Sequence, residues 1–320
     1  MQTFSSSDPF AGARPSLFAN TLFLVAIMAL YPLVGILLFS LVSGGGKETL
    51  LFSRPEMVAS MLSSLRFIQA AGQILVLALP VIILTAWHTR NKKPFSLQSL
   101  AFLGIKKDVD FGAILLAVVG LFLLQPLLQT LTELQNLYLW PALGSAGTEV
   151  VRQRDLMDSF IRELGLVRSA PEFLAVAFVF AITPAFSEEV LFRGYIQQNY
   201  TRSMSSGKAV FLTGFVFAFF HLSAANLLPL ALLGWYIGYI YSKTGNLAVP
   251  FFVHLANNLA ALLFLLFGEG EASVKASGHW SLLDLPLWWM VVGGSLFLFM
   301  VVIRRFSSDS FPGQKTEKFG

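Results

Sequence analysis

The segment SEEVLFRGYIQ, residues 187–197, contains three charged side chains between two long apolar runs. Charges inside an apolar helix are costly unless they pair with one another or line a polar cavity. On an α-helix, Glu189 and Arg193 lie four residues apart on one face and can pair, whereas Glu188 is rotated by about 100° from Glu189. The spacing predicts that Glu189 and Arg193 support the structure and leaves Glu188 free for chemistry. The alternative interpretation is an ion pair at a helix end on the membrane surface.

The composition of the whole chain is that of an integral membrane protein. Of its 320 residues, 55% are hydrophobic and 12% are charged, and the mean hydropathy is +0.69. Soluble domains carry about 25% charged residues. The chain has no cysteine, which excludes disulfides, thiolate catalysis and cysteine-ligated metals. The net charge of +4 is explained by basic residues in cytoplasmic loops, so no nucleic-acid partner is predicted.

Apolar runs of about 20 residues predict the membrane spans. A more polar region, 133–172, has the apolar spacing of an amphipathic helix at the membrane surface. The predicted fold is therefore all-α, a polytopic membrane helical bundle of about eight transmembrane helices with one interfacial amphipathic helix. The predicted spans are 17–42, 67–87, 111–132, a fourth from residue 173 into the charged segment, 209–224, 226–242, 246–267 and 285–303. The predicted organisation is a single membrane domain over 1–320, a catalytic core over 171–268 and a polar cytoplasmic tail over 304–320.

Basic residues predict how the chain is oriented in the membrane. They cluster in 88–110, in 193–208, at Lys243 and after residue 303. Threading eight spans from a cytoplasmic N-terminus places all of these on one side, as the positive-inside rule requires. We therefore expect a multi-pass protein of the plasma (inner) membrane with both termini in the cytoplasm.

Two further motifs carry polar side chains within apolar segments, FAFFH at 217–221 and HLANN at 254–258. A lone buried histidine often does no more than bond a backbone carbonyl. His254 and Asn258, however, lie four residues apart on one helix face, and such a pair must face protein or a water-filled cavity. The remaining histidines, His88 and His279, are predicted to lie in loops and are given no role.

The depth of these residues in the membrane connects the motifs. At about 1.5 Å per residue, Glu188, His221 and His254 lie roughly 16 to 21 Å from the basic residues at the cytoplasmic ends of their helices. A carboxylate and an imidazole at one depth can activate a water as general base. A second histidine and the Asn258 amide can donate to an oxyanion. The set predicts hydrolysis of amide bonds.

Other chemistries are weaker or remain open. Ser187 has no base, because its neighbour Glu188 points about 100° away. The chain has no H-E-x-x-H motif. Zinc remains possible, with Glu188, His221 and His254 as ligands.

The order EExxxR, FxxxH, HxxxN on successive membrane helices resembles the CAAX protease and bacteriocin-processing family (CPBP, also called Abi). This is the group of the Ras-converting enzyme type II prenyl endopeptidases. The motifs that carry the resemblance are EEVLFR at 188–193, FRG at 192–194, FAFFH and HLANN, within residues 183–259.

The resemblance implies an eight-helix intramembrane endopeptidase, a hydrolase in the processing of CAAX-box proteins, whose site opens to the cytosol. By position, Glu188 and His221 would hold the attacking water, and His254 and Asn258 would form the oxyanion hole. Glu189 and Arg193 would brace the site. Members of the family have been described both as metalloproteases and as metal-independent proteases. We expect no required cofactor, with zinc as the alternative.

The expected partners are a protein or peptide substrate and the lipid bilayer. The sequence does not name the substrate, and it does not imply a prenyl group. A non-catalytic immunity or scaffold protein that binds a peptide is a competing hypothesis. A small-solute transporter is a third, against which the chain shows no inverted repeat.

Overall fold

The structure, a computed structural model, describes residues 10, 12–42, 61–91, 93–268 and 281–308. Within these ranges the chain forms helices and turns and no strand, so the prediction of an all-α fold is confirmed. We number ten helices in chain order: α1 (Leu17–Val42), α2 (Leu62–His88), α3 (Leu97–Phe102), α4 (Phe111–Ala142), α5 (Ser145–Leu164), α6 (Ala170–Thr201), α7 (Ser206–Phe220), α8 (Leu227–Thr244), α9 (Ala248–Phe267) and α10 (Pro286–Ser308).

Seven helices of the described part are long and apolar enough to cross a membrane, namely α1, α2, α4, α6, α8, α9 and α10. The eighth apolar segment, α7, has 15 residues and rises about 22 Å, less than the roughly 30 Å of a hydrocarbon core. The chain is therefore a polytopic helical membrane protein, as predicted. The polar helix α5 is the predicted amphipathic helix, and it buries only Gly147 and Leu164.

Several predicted boundaries differ from the observed ones. Helix α2 begins five residues before the predicted 67, and α4 continues past the predicted 132 to Ala142. Polar residues lie within these extensions, so a hydropathy threshold excludes them although the backbone remains helical. Helix α10 includes the first five residues of the predicted tail 304–320. The rest of that tail, 309–320, lies outside the described residues.

The break between the fifth and sixth apolar segments comes earlier than predicted. Helix α7 ends at Phe220, and a turn followed by one 3₁₀ turn, Ala224–Asn226, leads into α8. His221 therefore follows the end of α7, whereas the predicted span 209–224 placed it within a helix. Leu222 continues the break in a left-handed conformation, with φ of +50°.

Helix α6 is the centre of the bundle. In the most apolar 18-residue segment of α6, 67% of the residues are buried. In every other helix that could cross the membrane, this share is half or less. It packs against α2, α7, α8 and α9. Helices α7 and α8 form a tight pair beside it, in which Trp235 of α8 donates from Nε1 to the carbonyl of Phe211 at 2.8 Å.

The α7–α8 contact depends on Gly214. A Cβ atom at this position would lie 2.8 Å from the main-chain nitrogen of Trp235 and would overlap its ring. Small residues allow such close helix contacts in membranes.

We predict that Gly214→Ala lowers the stability of the protein by about 1–3 kcal/mol, because overpacking forces α7 and α8 apart. Thermal unfolding in detergent micelles measures the effect. The matched control is Gly207→Ala on the same helix, where an added Cβ has open space. Equal melting temperatures for the two variants would show that this contact does not hold the pair together.

Candidate active site

Wide π-helical turns flank the candidate site. They occupy Gln73–Ala78 in α2 and both Phe178–Ile182 and Val190–Gln197 in α6. The first two are each followed by a proline, Pro80 and Pro184, that lacks the N–H needed by the carbonyl four residues earlier. That carbonyl lies inside the π-turn, so the proline favours the wider winding. Such turns occur often at functional sites.

The first feature of the site is a buried charge cluster around Glu189. Its Oε1 accepts from Arg193 Nη1 at 2.8 Å and lies 2.7 Å from His254 Nδ1. Arg193 also donates to the carbonyl of Gly234 in α8 at 3.0 Å and lies over the ring of Phe217, 4.6 Å from its centroid. Both charged side chains are almost fully buried, with 1% and 0% exposure. Glu189 thus links its own helix to α9, and Arg193 links it to α8.

The second feature is the neighbouring carboxylate, Glu188. Its Oε2 lies 3.8 Å from His221 Nε2 and 4.0 Å from His254 Nε2, so α6, α7 and α9 converge on one oxygen atom. This oxygen is buried and has no hydrogen-bond partner among the residues that the structure describes. The other oxygen, Oε1, accepts from Gln73 Nε2 of α2 at 3.3 Å. The two distances to histidine exceed a direct hydrogen bond and are of the size that a bridging water spans.

The hydrogen-bond partners of the two histidines assign their tautomers. His221 Nδ1 lies 2.8 Å from the carbonyl of Phe217, which can only accept, so Nδ1 carries the proton. His254 Nδ1 lies against the Glu189 carboxylate and donates in the same way. Each Nε2 therefore presents a lone pair to Glu188 when the ring is neutral. Only a doubly protonated histidine can donate from Nε2.

Asn258 lies one turn after His254 on α9 and is half-buried. Its Oδ1 accepts from the neighbouring Asn257 Nδ2 at 3.4 Å. In the described part of the chain, no hydrogen bond joins Asn258 to Glu188 or to either histidine. The structure thus brings five of the six predicted residues into one contact network and places Asn258 next to it.

Sequence reasoning missed two residues of the site. Gln73 reaches Glu188 from α2, and the available signal was a polar residue in an apolar span shortly before a proline. Phe217 packs edge-on against His221 and His254, with centroids 4.7 and 5.7 Å apart. The sequence feature that could have identified Phe217 is its position in FAFFH, four residues before His221 and so on the same helix face.

Of the two histidines without a predicted role, the structure describes only one. His88 is the last residue of α2 and not part of a loop, and its Nε2 lies 2.9 Å from the hydroxyl of Tyr195. It also stacks on Phe102, away from the Glu188 cluster. His279 lies outside the described residues.

The side chains as placed do not fit a tetrahedral zinc site. Zinc binds histidine nitrogen and carboxylate oxygen at about 2.0–2.2 Å, which places tetrahedral ligands about 3.4 Å apart. The separations of 3.8 and 4.0 Å from Glu188 Oε2 are wider. Among the residues that the structure describes, no group of three or more His, Cys, Asp or Glu is arranged to hold a metal ion.

The connection that follows α7 is exposed next to the site. Because α7 is shorter than the hydrocarbon core and starts beside charged residues, its C-terminal end lies at membrane depth. Non-helical backbone at that depth must be buried in protein or line a water-filled cavity. Leu222 is 74% exposed, and the His221 side chain is 30% exposed, so this connection is not buried in protein.

Residues 170–260 match the family model described as Type II CAAX prenyl endopeptidase Rce1-like. The predicted resemblance is confirmed over this range, which contains α6, α7, α8 and all six predicted site residues. No curated protein and no solved structure matches the chain. The match supports a CAAX-type intramembrane protease, a hydrolase that acts on proteins or peptides.

We predict that Arg193→Met destabilises the protein by about 3–5 kcal/mol, because it leaves the Glu189 carboxylate buried without its guanidinium partner. Adding Glu189→Gln should recover part of the loss. Unfolding in mixed detergent micelles measures both variants.

The control is Arg152→Met, which breaks an exposed pair with Glu149 on α5, and it should leave stability unchanged. A loss for Arg193→Met no larger than that of this control would contradict the structural role of the buried pair.

Proposed function

We propose that the chain is an intramembrane endopeptidase that hydrolyses a peptide bond near the C-terminus of a membrane-associated protein or peptide. The observation that carries the proposal is the buried Oε2 of Glu188, which has no hydrogen-bond partner in the described part of the chain and faces the Nε2 atoms of His221 and His254. A carboxylate and an imidazole in this arrangement can hold one water between them. The family match over 170–260 supports the same class of reaction.

In the first step, the water donates to Glu188 Oε2 and to His221 Nε2. Glu188 removes a proton as the water oxygen forms a bond to the carbonyl carbon of the substrate. The carbonyl π electrons move to oxygen and give a tetrahedral oxyanion. The histidine is held in the required tautomer by the carbonyl of Phe217.

The oxyanion needs hydrogen-bond donors in place before the reaction starts. Asn258 offers Nδ2–H. His254 offers Nε2–H in its doubly protonated form, with its Nδ1–H directed to the Glu189 carboxylate. The bond from Nδ1 holds the ring with Nε2 toward the cavity.

In the last step, the proton on Glu188 passes to the amide nitrogen, the carbon–nitrogen bond breaks, and the oxyanion becomes a carboxylic acid. The carboxylic acid then gives its proton to the released amine, so the products are a new C-terminal carboxylate and an ammonium group. Atoms and charge balance without a cofactor, and we propose that zinc is not required, because Glu188 and His221 supply the base and the orienting acceptor for the water.

We propose that the site opens to the cytoplasm, that both termini lie there, and that the protein resides in the plasma (inner) membrane. The support is the distribution of basic residues along the chain, which places 88–110, 193–208 and Lys243 on one side. A substrate would then enter from the cytoplasmic face or from the inner leaflet.

We predict that Glu188→Gln and His221→Ala each abolish cleavage while the protein still inserts and folds. Mass spectrometry of C-terminal peptide ends in membranes from cells that express each variant gives the measurement. Ends formed by wild type and missing in both variants are the expected result. Glu133→Gln is the control, because this α4 carboxylate accepts from Ser281 and makes no contact with Glu188 or the two histidines among the described residues.

The same comparison separates an enzyme from a binding protein. A scaffold or immunity protein would tolerate Glu188→Gln, since glutamine retains size and polarity. Identical peptide ends in wild type and Glu188→Gln would therefore refute the proposed hydrolysis.

We predict that cleavage by the purified protein survives treatment with a zinc chelator followed by dialysis. In the proposed mechanism Glu188 and His221 bind the water directly, so removing zinc takes away nothing that the reaction needs. The assay adds the purified protein to detergent-solubilised membranes of cells that express Glu188→Gln, which are expected to contain uncleaved substrate. It measures the new C-terminal peptide ends that form. Loss of activity that returns with added zinc would establish the metal mechanism instead.

A further inference from the structure

Three amide side chains form a line that ends at the candidate site. Gln125 of α4 donates from Nε2 to Oδ1 of Asn257 at 3.2 Å. Asn257 then donates from Nδ2 to Oδ1 of Asn258 at 3.4 Å. Helices α4 and α9 pack along one another, so the line crosses a helix interface.

Such a line has a direction. Each amide has one accepting oxygen and one donating nitrogen, and the two ends are nearly equal in size. Asn257 turns its oxygen to Gln125, so its nitrogen must face Asn258. Asn258 then turns its oxygen to Asn257, and its own nitrogen is left to donate elsewhere. The orientation of one amide thus fixes the next.

We infer that Gln125 and Asn257 are positioning residues that hold the Asn258 amide with its NH₂ group, and not its oxygen, toward the reacting carbonyl. This rests on the proposed function, in which Asn258 donates to the oxyanion. A reversed amide would place an oxygen lone pair against that negative charge. Sterics alone do not prevent reversal, so the orientation of the Asn258 amide follows that of Asn257 through their hydrogen bond.

The location of Gln125 supports a functional reason for its presence. It lies in the most apolar part of α4, where a polar side chain must find a partner within the protein. The partner it reaches is Asn257, immediately beside Asn258. Gln125 is also outside the range 170–260 that matches the family model, so α4 adds this element to the site from another part of the chain.

Two substitutions of similar size at Asn257 test the direction of the line. Asn257→Asp offers only acceptors when ionised, so Asn258 would donate to it and turn its oxygen to the site. Asn257→Leu offers neither donor nor acceptor and leaves Asn258 free to adopt both orientations. We expect a roughly 100-fold loss of cleavage rate for the aspartate variant, the scale for loss of one oxyanion donor, and a loss of about tenfold or less for the leucine variant.

The pH dependence of the rate distinguishes positioning from mere structural support. Once protonated, the carboxyl group introduced by Asn257→Asp can donate to Asn258 and restore the direction. The aspartate variant should therefore recover relative to the leucine variant as the pH falls toward the pKa of the introduced carboxyl group, which is about 3.9 in water and is raised by burial. Gln125→Met should resemble Asn257→Leu. Asn136→Leu is the matched control, because this α4 asparagine accepts from Arg154 outside the site.

The assay is the rate at which purified variants form new peptide ends in detergent-solubilised membranes from the Glu188→Gln strain. If wild type forms no ends, the proposed function fails and the inference fails with it. If wild type forms ends and the aspartate variant is at least as active as the leucine variant at every pH, only the positioning role is overturned. A pH-dependent ratio between the two variants is the supporting result.

Discussion

The arrangement of the central helices depends on the burial of the Glu189 carboxylate. A charge at this depth, away from water, is tolerated only if partners neutralise it and satisfy its hydrogen bonds. Arg193 supplies the charge from the same helix, and His254 supplies a donor from α9. Arg193 reaches on to the carbonyl of Gly234, so one ion pair fixes α6 against both α8 and α9.

The polar contacts beyond this pair follow a repeated pattern along α6. Gln197, four residues after Arg193, donates to the carbonyl of Gly238, four residues after Gly234. A glycine leaves its carbonyl accessible from the neighbouring helix, so two long side chains can add a second bond to carbonyls that already serve α8. Interhelical bonds of this kind supply the association that lipid denies to apolar contacts alone. Helix α6 is thereby held in register, and this register aims Glu188 at α7 and α9.

The sequence contains much of this arrangement, because membrane geometry restricts where polar groups can lie. The distances of Glu188, His221 and His254 from the basic residues near the ends of their helices predict one depth, and the structure places both histidines beside one carboxylate oxygen of Glu188. The bond between His254 and Glu189 was not predictable, since spacing along one helix carries no information about rotation of another. Gln73 and Gln125 were missed for the same reason, because each meets the site across a helix interface.

Counting charges in the cluster shows why two adjacent glutamates can have different roles. Arg193 balances Glu189, so an ionised Glu188 leaves the buried cluster with one negative charge in excess. A proton on His221 or His254 would make the cluster neutral and would be shared with Glu188, since both Nε2 atoms face its Oε2. A water between these atoms could then be deprotonated, and the proton passed to the leaving nitrogen, without any charge moving into lipid. In the proposed mechanism, the buried pair of Glu189 and Arg193 takes no part in this exchange, and for that reason it can hold the exchanging groups in place.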